Sequence, residues 1–394
     1  MKRPCVMLVA TEASGDALGA SLMAALRERL FGEVRFIGVG GRRMAVEGIA
    51  SPFDPASLAI VGVFNAAAAY PLVLRRVAQT ARLARREEPD VAVLIDAWGF
   101  NLRVARRLRR IKPDLPLIKY VAPQVWATRP GRARTLARTV DHLLTIHAFD
   151  AGFFEKEGLP VTFVGNPAAV GDSSAADPAR LRTALGLSAS DPILLVLPGS
   201  RGSEIDRLLG PFEDAVSLLK ATRPELAVVV AAAETVAQVV RTRVAAWPHK
   251  VYVVEGETVR LDAMRAASVA LACSGTVTTQ LAVAGCPMIV AYRLGALTHM
   301  VAKRLIRTPY ITLINVAAGA MVAPEFVQDA CTGPNLAREL ANLLDDPARR
   351  AHQIAAQSAA LAVMRGDVAD PVGAAAEAVL EILRRRTVAE QTTV

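Results

Sequence analysis

Short runs of Val, Ile, Leu and Ala, each of strand length, alternate with helical stretches along almost the whole chain. In the first half they are Val6–Ala10, Val34–Val39, Val91–Ile95, Leu117–Val121, Leu143–Ile146 and Val161–Val164. In the second half they are Ile193–Leu197, Ala227–Val230, Val251–Val254, Val269–Ala272 and Met288–Ala291. A strand that is apolar on both sides has no face for water. It therefore belongs in a parallel sheet covered on both faces by the helices of βαβ crossovers. A chain of 394 residues is long for one core. The spacing predicts a domain over 1–165, a linker over 166–190 and a second domain over 191–371. An amphipathic helix over 372–386 is expected to pack back on the first domain, followed by a frayed tail over 387–394. The predicted class is α/β, with two Rossmann-like domains that have parallel sheets and face each other across a cleft.

Two turns at strand ends carry the chemistry. Leu195-Val-Leu-Pro-Gly-Ser-Arg-Gly-Ser-Glu204 passes from a buried strand through Pro198-Gly199 into a helix. Glycine lets backbone N–H groups approach a ligand, a helix start carries positive partial charge, and Arg201 adds a fork of donors. That combination suits a diphosphate, although an ordinary βα turn with a surface arginine reads the same way. The first strand opens into Thr11-Glu-Ala-Ser-Gly-Asp16, a polar turn at the strand's carboxyl end, where open α/β sheets place ligands. Each half thus offers one candidate site.

Composition narrows the remaining classes. Aromatic residues make up 5% of the chain, too few for a nucleic-acid stacking platform. The net charge of +9 is largely arginine, concentrated at Arg75-Arg76, Arg82, Arg85-Arg86 and Arg103–Arg110. Such blocks are solvated helix faces or surfaces that attract anionic head groups and phosphorylated substrates. Cys5, Cys273, Cys286 and Cys331 have no metal-ligand spacing and read as reduced, mostly buried thiols of a cytoplasmic protein. The five histidines likewise show no ligand spacing. The start runs straight into the first strand, so no signal peptide is expected. The apolar stretch Leu58–Leu74 contains Gly62, Asn65 and Pro71 and does not span a bilayer. It reads as a buried helix and loop, or as a surface dipping into a membrane through Val61, Val63 and Phe64.

In order and at matching spacing, a series of segments resembles the lipid-A-disaccharide synthases, glycosyltransferases of the GT-B architecture. They are Glu12-Ala-Ser-Gly-Asp16, Gly38-Val-Gly40 with Arg43-Met44, Gly62, Ile95-Asp-Ala97 with Phe100-Asn101, and Tyr120-Val-Ala-Pro-Gln-Val-Trp-Ala127. The series continues with Phe163-Val-Gly165, Leu197-Pro-Gly-Ser-Arg201 with Glu204, Ser274-Gly-Thr276, Cys286-Pro287, Tyr292-Arg293 and Asn315. The resemblance implies transfer of a 2,3-diacylglucosamine unit from its UDP carrier to 2,3-diacylglucosamine 1-phosphate, with inversion, giving a β-1′,6-linked disaccharide and UDP. It implies Asp96 as catalytic base, with capping of the following turn as the plain alternative. Glu12, Ser14 and Asp16 then act beside Asp96. Gly199, Ser200, Arg201, Glu204, Ser274, Gly275, Thr276 and Gln280 hold UDP, while Gly15, Asn101, Gln124, Trp126, Arg293 and Asn315 line the substrate cleft. Trp126 reads equally as a core aromatic. The UDP-sugar is a substrate, and neither a cofactor nor a metal is expected, since the chain has no Asp-x-Asp motif. The expected partners are the UDP-diacylglucosamine donor, the acyl-glucosamine phosphate acceptor and the inner face of the inner membrane, with no nucleic acid. A homodimer stays open.

Several positions depart from the family pattern. Gln280 stands where a ribose-gripping Glu is usual, Asn166 where a His-Pro pair begins, Asn65 for Glu, Thr128 for a second Trp, and Ala148-Phe149-Asp150 for Pro-Phe-Glu. These changes keep open a paralogue of altered specificity or a non-catalytic lipid-binding protein. A UDP-sugar 2-epimerase shares the two-domain plan, but its nucleotide motifs carry His and Glu where this chain has Asn166 and Gln280. A dinucleotide-binding dehydrogenase fails for want of a third glycine after Gly38-Val-Gly40-Gly41. Serine hydrolysis fails for want of a Gly-x-Ser-x-Gly elbow.

Overall fold

In the computed structural model, residues 3–59, 66–126, 129–170, 176–295 and 308–392 are described. The chain divides into two compact units, one comprising Met1–Pro167 with Gly366–Val394 and the other Ala168–Arg365. Each is built on a six-stranded, all-parallel sheet.

The first unit's strands are β1 (Cys5–Val9), β2 (Arg35–Val39), β3 (Val91–Ile95), β4 (Leu117–Tyr120), β5 (His142–Thr145) and β6 (Val161–Phe163), in the order β2-β1-β3-β4-β5-β6. Alternate residues of each strand feed two separate cores. Met7, Val9, Ala92 and Leu94 pack against the helices Ala66–Glu87, Trp98–Ile111 and Gly131–Ala137. Val6, Leu8, Val91 and Val93 pack against the helices Ala13–Arg29 and Pro371–Thr392. The last helix reaches this sheet through Ala375, Val379 and Leu383, which recur every four residues and so share one face. It continues to Thr392, through most of the stretch expected to fray.

The second unit's strands are β7 (Ile193–Leu197), β8 (Ala227–Ala231), β9 (Tyr252–Val254), β10 (Val269–Cys273), β11 (Met288–Tyr292) and β12 (Glu325–Val327), ordered β12-β11-β10-β7-β8-β9. Leu194 and Val196 face a core with the helices Gly202–Thr222 and Gly333–Asp345. Leu195 and Leu197 face another with Pro178–Leu185, Glu257–Ala266, Thr276–Val283 and Pro347–Arg365. The helix Pro178–Leu185 lies inside the stretch read as linker. Leu181 is buried, and Arg180 grips Asp262 through Nε and Nη2, each at 2.6 Å. Asp177 caps its start by accepting from the N–H of Ala179 at 2.9 Å, with Pro178 supplying a pre-set first residue.

All four cysteines are buried and reduced. Burial pushes the Cys273 thiol up to about 12, and Cys286 likewise, so neither is a reactive thiolate near neutrality.

Candidate active site

In an open parallel sheet, ligands bind outside the carboxyl ends of the strands, where the strand order reverses. In the first unit that reversal falls between β1 and β3, neighbours whose crossovers run to opposite sides. The loops leaving those strands are Thr11–Glu12 and Asp96–Ala97, two of the segments singled out above. In the second unit the reversal falls between β7 and β10. The loops there are Pro198–Arg201 and Ser274–Gly275. Topology thus selects the same four loops as the sequence did.

At the first site Ser14 Oγ donates to Asp96 Oδ2 at 3.2 Å. Glu12 and Ser14 are exposed and Asp96 is half-buried. Asp96 has φ +50° and Ala97 φ +40°, two consecutive non-glycine residues in left-handed conformation. Each such residue costs about 1–3 kcal/mol and persists only when its surroundings hold it. Here the holders are explicit. Asn101 Nδ2 donates to the carbonyls of Ile95 at 2.7 Å and Asp96 at 3.0 Å, and Lys119 Nζ donates to the Asp96 carbonyl at 2.5 Å. Asp96 N–H donates to Tyr120 O at 2.9 Å. The turn thus presents the carboxylate outside the end of β3.

Three residues assigned to this site act from within the fold. Asp16, expected beside Asp96, is buried and caps another loop. Its carboxylate accepts from the N–H groups of Gly41 at 2.7 Å, Arg43 at 2.9 Å and Met44 at 3.2 Å, holding the start of the helix Arg42–Val46. Asn101 is 1% exposed and supports the Asp96 turn from behind. Gly15 is buried against Ala10, Ile95 and Asp96, and a Cβ there would meet them at 3.4–3.7 Å, ordinary van der Waals contact, so it packs inside the unit with room for a methyl group. Gln124 is exposed in the turn after β4, and Trp126 is half-buried. Val61, Val63 and Phe64 lie outside the described residues.

At the second site Gly199 has φ +116°, and a Cβ there would meet the Glu204 carboxylate at 2.5 Å, so only glycine fits. Glu204 is buried and accepts from the N–H groups of Ser200 at 2.9 Å and Arg201 at 3.2 Å, and from Arg201 Nη1 at 3.0 Å. It therefore braces the loop instead of meeting a ligand, and it occupies two of the backbone donors expected for a diphosphate. The donors that the helix geometry leaves are the N–H groups of Gly202 and Ser203, in the exposed first turn of Gly202–Thr222. The Arg201 side chain stands beside them, 70% exposed.

Ser274 Oγ donates to Ile311 O at 3.2 Å, and Gly275 and Thr276 are exposed at the start of the helix Thr276–Val283, with Gln280 half-buried along it. Asn315 is fully buried. It donates to Ala323 O and Glu325 Oε1, each at 2.7 Å, and accepts from the N–H groups of Val322 and Ala323, each at 2.8 Å. Glu325 in turn holds the N–H groups of Ile311 and Thr312 at 2.9 Å. Asn315 therefore fixes the segment that Ser274 leans on and does not line a surface. Arg293 donates to Cys331 O at 2.5 Å and is similarly engaged inside the unit.

Neither Lys119 nor His147 had a role in the sequence expectations. Lys119, in the middle of β4, is 3% exposed, and burial pushes its ammonium down to about 8 against the pull of the Asp96 and Glu12 carboxylates. At the ends of β5 and β6, His147 Nδ1 lies 3.2 Å from Asp150 Oδ2, which also accepts from Thr145 Oγ1 at 3.0 Å. With Nδ1–H donating to the carboxylate, Nε2 faces Asn166 Nδ2 at 3.4 Å as an acceptor. Phe149 stacks on His147 at 5.1 Å and meets the edge of Trp126 at 5.6 Å. Asn166, which departs from the family's His, thus has an imidazole beside it from the neighbouring strand's end.

A family model described as lipid-A-disaccharide synthetase matches residues 6–378. A lipid-A-disaccharide synthase of Rhodospirillum centenum is 42% identical over 392 residues, covering 99% of this chain and 98% of its own. One from Nitrobacter hamburgensis is 42% identical over 379 residues, covering 96% and 95%. Among solved structures, the S. aureus MnaA–UDP complex aligns with a TM-score of 0.63 at 15% identity over 96% of this chain and 95% of its own. A UDP-GlcNAc 2-epimerase from Neisseria meningitidis bound to UDP-GlcNAc aligns at 0.62 and 12% identity, over 97% and 99%. At such identities the structural likeness speaks for the fold, which is GT-B. Among the described residues no helix is long and apolar enough to cross a membrane.

Proposed function

The chain belongs to the lipid-A-disaccharide synthase family and is a glycosyltransferase; on that premise we propose how its residues divide the work. The donor is UDP-2,3-diacylglucosamine and the acceptor 2,3-diacylglucosamine 1-phosphate. Asp96 takes the proton of the acceptor's attacking hydroxyl while that oxygen displaces UDP at the anomeric carbon with inversion. Ser14, bonded to the same carboxylate, sets its rotamer, and Glu12 meets sugar hydroxyls. The bond to the diphosphate breaks as Arg201 and the N–H groups at the start of Gly202–Thr222 take up the leaving charge. Ser274 and Thr276 give a second phosphate or ribose contact, and Gln280 accepts from a ribose hydroxyl.

The observation that carries this reading is the Asp96 turn. A carboxylate is presented at the strand-order reversal by two left-handed residues braced on the backbone side, with Ser14 at 3.2 Å on the other. The test supplies purified protein with both substrates. UDP and a β-1′,6-linked disaccharide 1-phosphate form together. UDP binding without release of UDP or product would show a family member that has left catalysis.

The acyl chains of both substrates place the work at a membrane, and we propose peripheral contact with the inner face of the inner membrane. Val61, Val63 and Phe64 are the apolar contact, with the arginines that follow them from Arg75 onward meeting anionic head groups. Changing all three to Ser should release the protein from anionic vesicles in a sedimentation assay. Undiminished binding would place the contact elsewhere.

A further inference from the structure

β4 reads Leu117-Ile-Lys-Tyr120, and its third residue is a lysine in the interior of a sheet covered on both faces. A buried ammonium is retained only when its donors are used and charges compensate it. Lys119 Nζ donates to Leu94 O at 3.3 Å, Asp96 O at 2.5 Å and Tyr120 O at 3.1 Å, one acceptor for each proton. Around it the helices Trp98–Ile111 and Gly131–Ala137 and the turn after the latter contribute Trp98, Asn101, Leu102, Ala105, Leu136 and Val140, none of them charged. The charged groups it faces are the carboxylates of Asp96 and Glu12. Tyr120 O also accepts the Asp96 N–H, so the ammonium sits where the ends of β3 and β4 are tied together.

We propose that Lys119 is a positioning residue for the transfer step: by holding the Asp96 carbonyl at the left-handed Asp96–Ala97 turn, its ammonium keeps the Asp96 carboxylate in the place from which it takes the acceptor proton. This rests on Asp96 being the base. Asn101 shares the Asp96 carbonyl but carries no charge. Lys119 adds a buried positive charge that feels the carboxylates of Asp96 and Glu12, and so makes the geometry depend on its own protonation. With its pKa pushed down to about 8 by burial, the ammonium is present below that pH and is lost above it. The neutral amine has fewer protons than the three carbonyls require.

The test measures kcat and the donor KM for UDP release from pH 6 to pH 9.5 in wild type, Lys119→Met, Lys119→Arg and Asp96→Asn, with thermal melts of each. Wild-type kcat should decline as pH rises through about 8. Lys119→Met should lower kcat at pH 7 by about 10- to 100-fold with little change in donor KM, and show no decline near pH 8. Lys119→Arg, which stays charged, should move the decline beyond the range. A folded Lys119→Met with wild-type kcat, or one sharing the wild-type decline, would overturn the proposal. Should Lys119→Met not fold, a wild-type profile flat through pH 8, or one that Arg leaves in place, does the same. Asp96→Asn separates the two ideas. Loss of activity there with Lys119→Met unaffected removes only the role of Lys119, whereas retained activity in Asp96→Asn removes the base itself.

Discussion

Asp96→Asn should slow UDP release by about 10²- to 10⁴-fold, the usual contribution of a positioned general base, while leaving the melting temperature nearly unchanged. Asn is the informative replacement because of the backbone. Asp96 has φ +50°, a region that Asp and Asn enter far more readily than other side chains. Ala at this position would add backbone strain and lose the Ser14 bond, mixing misfolding with lost chemistry. Asn keeps an acceptor for Ser14 Oγ and leaves the bracing by Asn101 and Lys119 untouched, since those bonds go to main-chain oxygens. What it removes is the ability to take a proton. Initial rates at saturating acceptor, with a thermal melt on the same samples, decide the matter. A rate within tenfold of wild type would mean that the carboxylate only caps its turn and that another group takes the proton.

The sheets were legible because parallel strands buried on both faces leave unbroken apolar runs, and the loops that follow them were legible because they turn polar where the runs end. Which way a polar side chain points from such a loop was not. Asp16, Asn101 and Asn315 all looked like surface chemistry, and all three are buried and bonded to groups inside their own unit, while the half-buried Arg293 gives one donor to Cys331 O. Their polarity is explained by loops that need tying down, a need that sequence does not display. Glu204 is the same case at the phosphate loop: its spacing from Arg201 was visible, but its partners were not. Two misses had signals. Asp177-Pro178 is a capping residue followed by a first-turn proline, and it marked a helix inside the stretch read as linker. Lys119, alone in an apolar strand flanked by buried neighbours, was a charge with nowhere to go, and such residues sit at functional sites often enough to single out. β12 left no such mark, being three residues long and beginning with Glu325.

Arg201→Ala should lower kcat by about 10²- to 10³-fold, the scale on which a single donor to developing negative charge acts. Arg201→Lys should recover part of the loss, because an ammonium restores charge without the two-pronged geometry that fits phosphate oxygens. The effect on folding should be small. The Arg201 side chain is 70% exposed, so solvent screens its end of the pair with the buried Glu204. Glu204 also keeps the N–H groups of Ser200 and Arg201 as partners after the change. The informative contrast is Glu204→Gln, which weakens the brace on that loop while leaving the guanidinium in place. Arg201→Ala should reduce kcat more than it weakens UDP binding, because leaving-group charge grows only as the bond breaks. Glu204→Gln should raise the KM for the UDP-sugar and lower the melting temperature, because it loosens the loop in every state. Calorimetric UDP binding with steady-state rates on the three variants measures this split. Equal losses in binding and rate for Arg201→Ala would make Arg201 a ground-state contact to UDP and leave the departing charge to the helix N–H groups alone.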